Sequence, residues 1–318
     1  MSTPSPNALA PPQAGPLVSV ILPTHNRQDL LPRAIRSVLG QTYRNLELFV
    51  VDDASTDNTA AVVQGFDDPR LHYIRLDKNS RAAAARNAGI KASRGELIAF
   101  QDDDDEWLPQ KLERQVAAIM RAPADVGLLL SGFTRLDVSR EFYVGGDFYL
   151  RQCDFNICQA YADFALISTP NWLVRRSVLE RSGLFDERIK SLDDWELALR
   201  MLDVTKFEFL DEPLWIQHWQ RPEGVGLARN ESLMLNDYPI ILEKHGARWA
   251  GNTLARYCFQ IGRMHVSQGR ASAAAPWLRR AVQSDPWFLK AWVLLLASIG
   301  GGSVMKSAIA LGRRISSW

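Results

Sequence analysis

From Leu17 to Met120, short apolar runs alternate with longer stretches of helical period, and this alternation constrains the fold more than any other feature. LVSVILP, LELFVVDD, LHYIRL and ELIAFQD read as strands. LLPRAIRSVLGQ, the segment from Ser55-Thr56-Asp57 to Phe66, RAAAARNAGIKAS and PQKLERQVAAIM read as helices, with Ser55-Thr56-Asp57 offering capping oxygens and Pro109 in a first turn. Strands that are apolar on both faces are buried on both faces, and strands separated by helices run parallel. The expected fold is α/β: a doubly wound, mostly parallel sheet with helices on both faces. After Val126 the pattern loosens. VGLLLSGFTRLD and EFYVGG predict an antiparallel pair, DDWELALRML a short helix, and FEFLDEPLWIQHW a final strand or two. This second half would form the far wall of a cleft.

Sheets of this kind bind ligands at the carboxyl ends of their strands. Two of the strands end in carboxylates, Asp52-Asp53 and the run Asp102-Asp103-Asp104-Asp105. One such group is readily a turn or a helix cap; two at one sheet edge point to a site. The net charge of +1 excludes no fold, but nothing in it suggests nucleic acid or another polyanion as partner. Cys153, Cys158 and Cys258 are odd in number and lack CxxC spacing, which favours free thiols in a reducing compartment. Residues 1–16 carry no charged side chain and neither a basic start nor an apolar run, so they read as a disordered lead-in and not a leader peptide. The longest apolar stretch, Ala291–Ile299, is too short to span a bilayer. The expected location is the cytoplasm.

Five segments, VSVILPTHNR, LELFVVDDASTDNT, RAAAARNAGI, GELIAFQDDDDEWLP and SLDDWELALR, resemble in order the family 2 glycosyltransferases, whose nucleotide-diphospho-sugar transferase fold is called GT-A. The resemblance runs from about Leu17 to Trp219. It implies a nucleoside-diphosphate sugar as donor, with a lean to uridine, a saccharide or lipid-linked saccharide as acceptor, and a divalent cation, Mn²⁺ or Mg²⁺, as cofactor. By the same resemblance Pro23 and Thr24 line the nucleotide pocket and Asp53 contacts the base or ribose. Asp102, Asp103 and Asp105 fall on the donor side, Asp105 alternatively capping the next helix, and Asp104 is the candidate direct metal ligand. Physical chemistry agrees: Mg²⁺ and Mn²⁺ favour hard carboxylate and phosphate oxygens, and a cation relieves repulsion among the aspartates. Arg81 stands where the family commonly has glycine; it either pairs with the diphosphate or is a solvated arginine at a helix start. Arg86 carries the same ambiguity.

An inverting transferase needs a base for the acceptor hydroxyl. The family's Glu-Asp pair appears as Asp193-Asp194, with Asp194 in the base position; the alternative is that Asp193 or Asp194 simply caps the helix, and both hold if Asp193 caps while Asp194 reaches the cleft. His218 is a second candidate on the metal or diphosphate, the alternative being a packed or surface histidine. Trp172 and Trp195 are assigned to the acceptor, since sugars stack on indole faces, although tryptophans at such positions are as often core.

From Asn252 the texture is helical, and LARYCFQIGRMHVSQGR, ASAAAPWLRRAVQSDP and WFLKAWVLLLASI resemble one and a half tetratricopeptide repeats. The expected division is a transferase domain at 17–245, split at 125/126 into donor and acceptor halves, and a helical extension at 246–318. Within it, Ser303–Trp318 reads as a basic amphipathic helix that either lies peripherally on an anionic membrane or packs on its neighbours. The expected function is a metal-dependent, inverting, non-processive hexosyltransferase, in surface polysaccharide or lipopolysaccharide assembly by family habit. A sugar-phosphate nucleotidyltransferase would need a glycine-rich loop where PTHNRQD stands. A non-catalytic scaffold is the remaining alternative, and both acidic clusters being intact speaks against it.

Overall fold

The computed structural model describes residues 15–137, 140–145, 168–219 and 231–299. Most of the lead-in, Cys153, Cys158 and the segment Ser303–Trp318 lie outside the described residues. The chain forms two compact units, one holding the sheet and its helices and the other the C-terminal helices together with Arg188–Leu192.

In the first unit, β1 (Val18–Thr24), β2 (Leu46–Asp52), β3 (Leu71–Arg75) and β4 (Leu97–Phe100) pair in parallel in the order β3-β2-β1-β4. Helices α1 (Leu31–Leu39), α2 (Thr59–Gln64) and α3 (Arg81–Ala92) connect them. Every residue of β1, β2 and β4 is buried, as continuous apolar runs require. Helix α3 packs closely on this sheet through Gly89, where an added Cβ would stand 2.6 Å from Ile21 Cγ2 and 3.1 Å from Val51 Cγ2. The strand order changes direction between β1 and β4, which is where open α/β sheets bind ligands.

Beyond β4 the sheet is mixed. A two-residue strand β5 (Glu106–Trp107) precedes α4 (Lys111–Arg121), β6 (Val126–Asp137) and β7 (Arg140–Val144). After a short 3-10 turn at Thr169–Asn171 come β8 (Leu173–Arg175), α5 (Arg176–Ser182), α6 (Asp193–Met201) and β9 (Lys206–Trp219). β6 and β7 form the expected antiparallel pair. β8 runs antiparallel between β4 and β6, and β9 runs parallel to β6 and antiparallel to β5. The final segment is one strand of 14 residues, bent by register shifts around Gly132.

The second unit contains α7 (Glu231–His245), α8 (Gly251–Ser267), α9 (Ala271–Ser284) and α10 (Leu289–Ile299). Cys258, Ala274, Leu278, Ala281, Ala291 and Leu295 share one core. Small residues let α8 and α9 approach: an added Cβ at Gly262 would lie 2.6 Å from Leu278 Cγ. Buried Asp237 of α7 accepts the backbone N–H groups of Lys190 and Ser191 and so anchors that segment.

Candidate active site

The parallel register brings the strand-end residues together. Ile21 pairs with Phe100 and Thr24 with Asp52, so the residues after Phe100 emerge beside Thr24. The Thr24 hydroxyl donates to Asp103 at 2.8 Å, and Arg27 lies 4.0 Å from the same carboxylate. Pro23 is buried at the end of β1, adjacent to Val51.

The two strand-end clusters have different surroundings. Asp52 accepts the Tyr73 hydroxyl at 2.5 Å and the Ser55 N–H at 2.7 Å. Asp53 accepts the N–H groups of Ser80 and Arg81 at 2.6 and 2.7 Å, which fixes the start of α3. Arg81 itself has φ +72, which explains why glycine suits this position. Its side chain is exposed. Asn26 (φ +53) and Ala54 (φ +59) are strained in the same way; these two lie in the loops after β1 and β2, and Arg81 opens α3.

The aspartate run is a tight turn between β4 and β5, closed by the Asp105 N–H on the Asp102 carbonyl at 3.3 Å. Burial pushes the Asp102 carboxyl above its ordinary range, and the Arg86 guanidinium opposes that rise. Burial and the neighbouring Asp104 raise Asp103 to about 7. The same causes push Asp105 well up, although it accepts the His218 N–H at 3.1 Å. The Asp104 carboxylate has no hydrogen bond or ion pair among the described residues, while its carbonyl accepts from Arg33. His218 Nε2 lies 3.1 Å from the Glu106 carboxylate.

Arg86 joins this edge to the second acidic cluster. It is 8% exposed, with Nη1 donating to Asp193 at 2.9 Å and Nη2 to Asp102 at 3.1 Å. Burial works against its charge, and the carboxylates of Asp193 and Asp102 outweigh that and hold it protonated. Its Cζ sits 5.5 Å from the Phe185 ring centroid. Asp194 accepts the Trp195 N–H at 2.7 Å. Burial, then the Asp193 charge, raise its carboxyl to about 8. Asp193 is held by the Arg86 ion pair, and the Asp194 bond is to the N–H of its immediate neighbour in the first turn of α6. Arg86 is the residue whose importance sequence reasoning missed. Its place in ARN was visible, but a link across 107 positions was not.

Trp172 and Trp195 are corrected. They are 0% and 1% exposed, and Trp172 packs edge-on against Phe100 and parallel to Phe185. Neither has a face open to a sugar; both are core.

The carboxylate oxygens fit a divalent cation. Among the described residues no three His, Cys, Asp or Glu side chains form a metal-binding cluster. Mg²⁺ and Mn²⁺ are commonly held by one or two carboxylates together with substrate phosphate oxygens.

Comparison with known proteins agrees with this architecture. The family described as glycosyl transferase family 2 matches residues 19–183. A protein of Escherichia coli (strain K12) named as a colanic acid biosynthesis glycosyl transferase, WcaA, is 50% identical over 64% of this chain and 74% of its own. An E. coli UDP-Glc:alpha-D-GlcNAc-diphosphoundecaprenol beta-1,3-glucosyltransferase, WfaP, is 38% identical over 76% of this chain and 96% of its own. The match to a Bacillus subtilis teichuronic acid biosynthesis glycosyltransferase, TuaG, is 42% identical but spans only 33% of this chain and 42% of that protein. Among solved structures, S. aureus TarS 1-349 in complex with UDP-GlcNAc aligns with TM-score 0.56 and 18% identity over 89% of this chain and 80% of that one. The mannosyltransferase PcManGT of Pyrobaculum calidifontis, in complex with GDP-Man and Mn²⁺, aligns with TM-score 0.57 and 20% identity over 99% and 84%. These two share the fold.

Proposed function

The chain belongs to glycosyl transferase family 2, and we propose that it is a metal-dependent, inverting, non-processive transferase moving a sugar from a UDP-linked donor to an acceptor hydroxyl. The observation that carries this reading is Arg86, whose one buried guanidinium bonds both the strand-end run and the Asp193-Asp194 pair. A donor-side and an acceptor-side acidic group thus lie within one side chain's span.

In this reading Pro23, Thr24, Asp53 and Arg81 line the nucleotide, and Asp102, Asp103 and Asp105 face the donor. Asp104, with His218 as second candidate, would hold Mn²⁺ or Mg²⁺; a bound cation supplies positive charge against the leaving diphosphate. Asp194 takes the proton of the acceptor hydroxyl as its oxygen bonds to the anomeric carbon. The bond from that carbon to the diphosphate oxygen breaks, and its electron pair leaves with the nucleoside diphosphate. Attack from the face opposite the leaving group inverts the centre. A carboxyl raised to about 8 by burial has the proton affinity a general base needs near neutral pH.

The names of the relatives support a saccharide or lipid-linked saccharide as acceptor and a role in polysaccharide assembly. Peripheral membrane contact through Ser303–Trp318 is part of the same reading. The test is a screen of sugar nucleotides with purified protein, following thermal stabilisation and metal-dependent hydrolysis. At least one UDP-sugar is expected to give both, with hydrolysis lost on chelation. If no sugar nucleotide gives either, the reading fails.

A further inference from the structure

The net charge of +1 conceals a division of the chain. Residues 246–318 contain ten lysines and arginines against one aspartate, Asp285, so this stretch is +9 and the first 245 residues are −8. After Asp285 no acidic side chain occurs, while Lys290, Lys306, Arg313 and Arg314 do. Arg270, Arg279, Arg280 and Lys290 are exposed. Charge of one sign gathered in one helical unit marks contact with a polyanionic surface.

Helix α10 supplies the second observation, because it is apolar on two sides. Ala291, Leu294 and Leu295 face the core shared with α8 and α9. Leu289 (71% exposed), Trp292, Val293 and Leu296 (63%) recur at i, i+3, i+4 and i+7 on the outer side. Trp287, just ahead of the helix, is 87% exposed. A single exposed leucine needs no account, but five large apolar side chains between Trp287 and Leu296 do. A helix that is apolar all round is normally covered on both sides.

We propose that this outer stripe, with the positive charge of the same unit, docks the protein on an anionic lipid bilayer. Arginines alone would suit a nucleic acid equally, but a phosphate backbone would leave the leucines and valine in water. A bilayer interface takes both, the indoles and aliphatic chains entering the headgroup boundary while the cations attract lipid phosphates. At 11 residues α10 cannot span the ~20-residue hydrocarbon thickness, so it lies in the interface plane. The inference rests on the proposed function only in giving a reason for the contact, a lipid-linked acceptor.

The experiment is co-sedimentation of the full chain with vesicles of phosphatidylcholine alone and of phosphatidylcholine with phosphatidylglycerol, at low and high salt. The full chain is expected to bind the anionic vesicles in a salt-sensitive way. The double variant Leu289→Asp, Leu296→Asp should bind roughly tenfold more weakly, since two inserting side chains become charged, with an unchanged melting temperature. Sugar-nucleotide hydrolysis in vesicle-free solution is expected to be equal in both forms, so the docking idea and the catalytic reading fail separately. Four results would overturn the docking idea. These are no binding at low salt, equal binding by the double variant, tighter retention by DNA than by vesicles, and a dimer in light scattering that the double variant abolishes. A form ending at Gly302 that loses all binding, with the double variant unaffected, would move the contact to the tail and overturn it too.

Discussion

Replacing Arg86 by methionine keeps much of the side chain's bulk and removes its charge. The consequence follows from the two carboxylates it bonds. Asp193 at 2.9 Å and Asp102 at 3.1 Å would both remain in the protein without a partner. Breaking a buried ion pair by removing one member costs about 3–5 kcal/mol. The carboxylates can escape part of this by binding protons. Neutralising one aspartate with an unfolded pKa of about 3.9 costs roughly 4 kcal/mol at pH 7 and roughly 1.5 at pH 5. Burial already raises the Asp102 carboxyl and Arg86 opposes that rise, so without the guanidinium its folded pKa goes further up, and stability is retained at low pH and lost as pH rises. The deficit against the parent should therefore be about 3–5 kcal/mol at pH 7 and about 1–2 at pH 5. For a unit of this size that is a fall in melting temperature of roughly 6–20 °C at pH 7. Thermal and urea unfolding of both forms at the two pH values measures it. A melting temperature within about 2 °C of the parent at pH 7, or an equal deficit at both pH values, refutes the reasoning.

Three further outcomes are expected. Because burial raises Asp194 to about 8 and a base acts when ionised, kcat/KM should climb with pH through about 8; Asp194→Asn should flatten that rise and cut transfer by roughly 10²–10⁴-fold. A rate independent of pH in initial-velocity measurements counts against the base assignment. Gly89→Ala places a methyl 2.6 Å from Ile21 Cγ2 and should cost about 1–3 kcal/mol, read as a lower urea midpoint with unchanged m-value. Arg81→Gly relieves a side chain held at φ +72, worth about 1–2 kcal/mol, against a glycine entropy cost of about 0.5–1, so it should raise the melting temperature slightly; a fall would show that the arginine side chain stabilises the protein.

What the sequence makes legible is what depends on local pattern. The apolar runs of β1, β2 and β4 announce a buried parallel sheet, and parallel register then carries Thr24, Asp53 and the aspartate run to one edge. The two-residue strand β5 has no period to detect; it exists because β9 arrives beside it, with Glu106 opposite Ile216. The tryptophans mislead for a related reason. Trp172 follows a 3-10 turn and lies against Phe100 and Phe185, partners far away in sequence, and nothing local distinguishes such an indole from one lining a cleft. The ion pair that holds Asp193 likewise depends on Arg86, 107 positions earlier.

The two strand-end acidic groups look alike in sequence and should behave oppositely when neutralised. Asp53 is an anchor: both oxygens accept backbone N–H groups at the start of α3. In Asp53→Asn the amide NH₂ must face one of those donors, so one charge-assisted bond is lost, about 1.5–3 kcal/mol, together with the favourable charge at a helix start. The Asp104 carboxylate bonds nothing among the described residues, and its charge raises the carboxyls of Asp103 and Asp105. Asp104→Asn removes that repulsion and should leave unfolding unchanged or slightly harder. What it should remove is affinity for Mn²⁺ in the presence of a nucleoside diphosphate, followed by calorimetry. A folding deficit in Asp104→Asn with metal affinity intact would make Asp104 the anchor and leave the run without its cation.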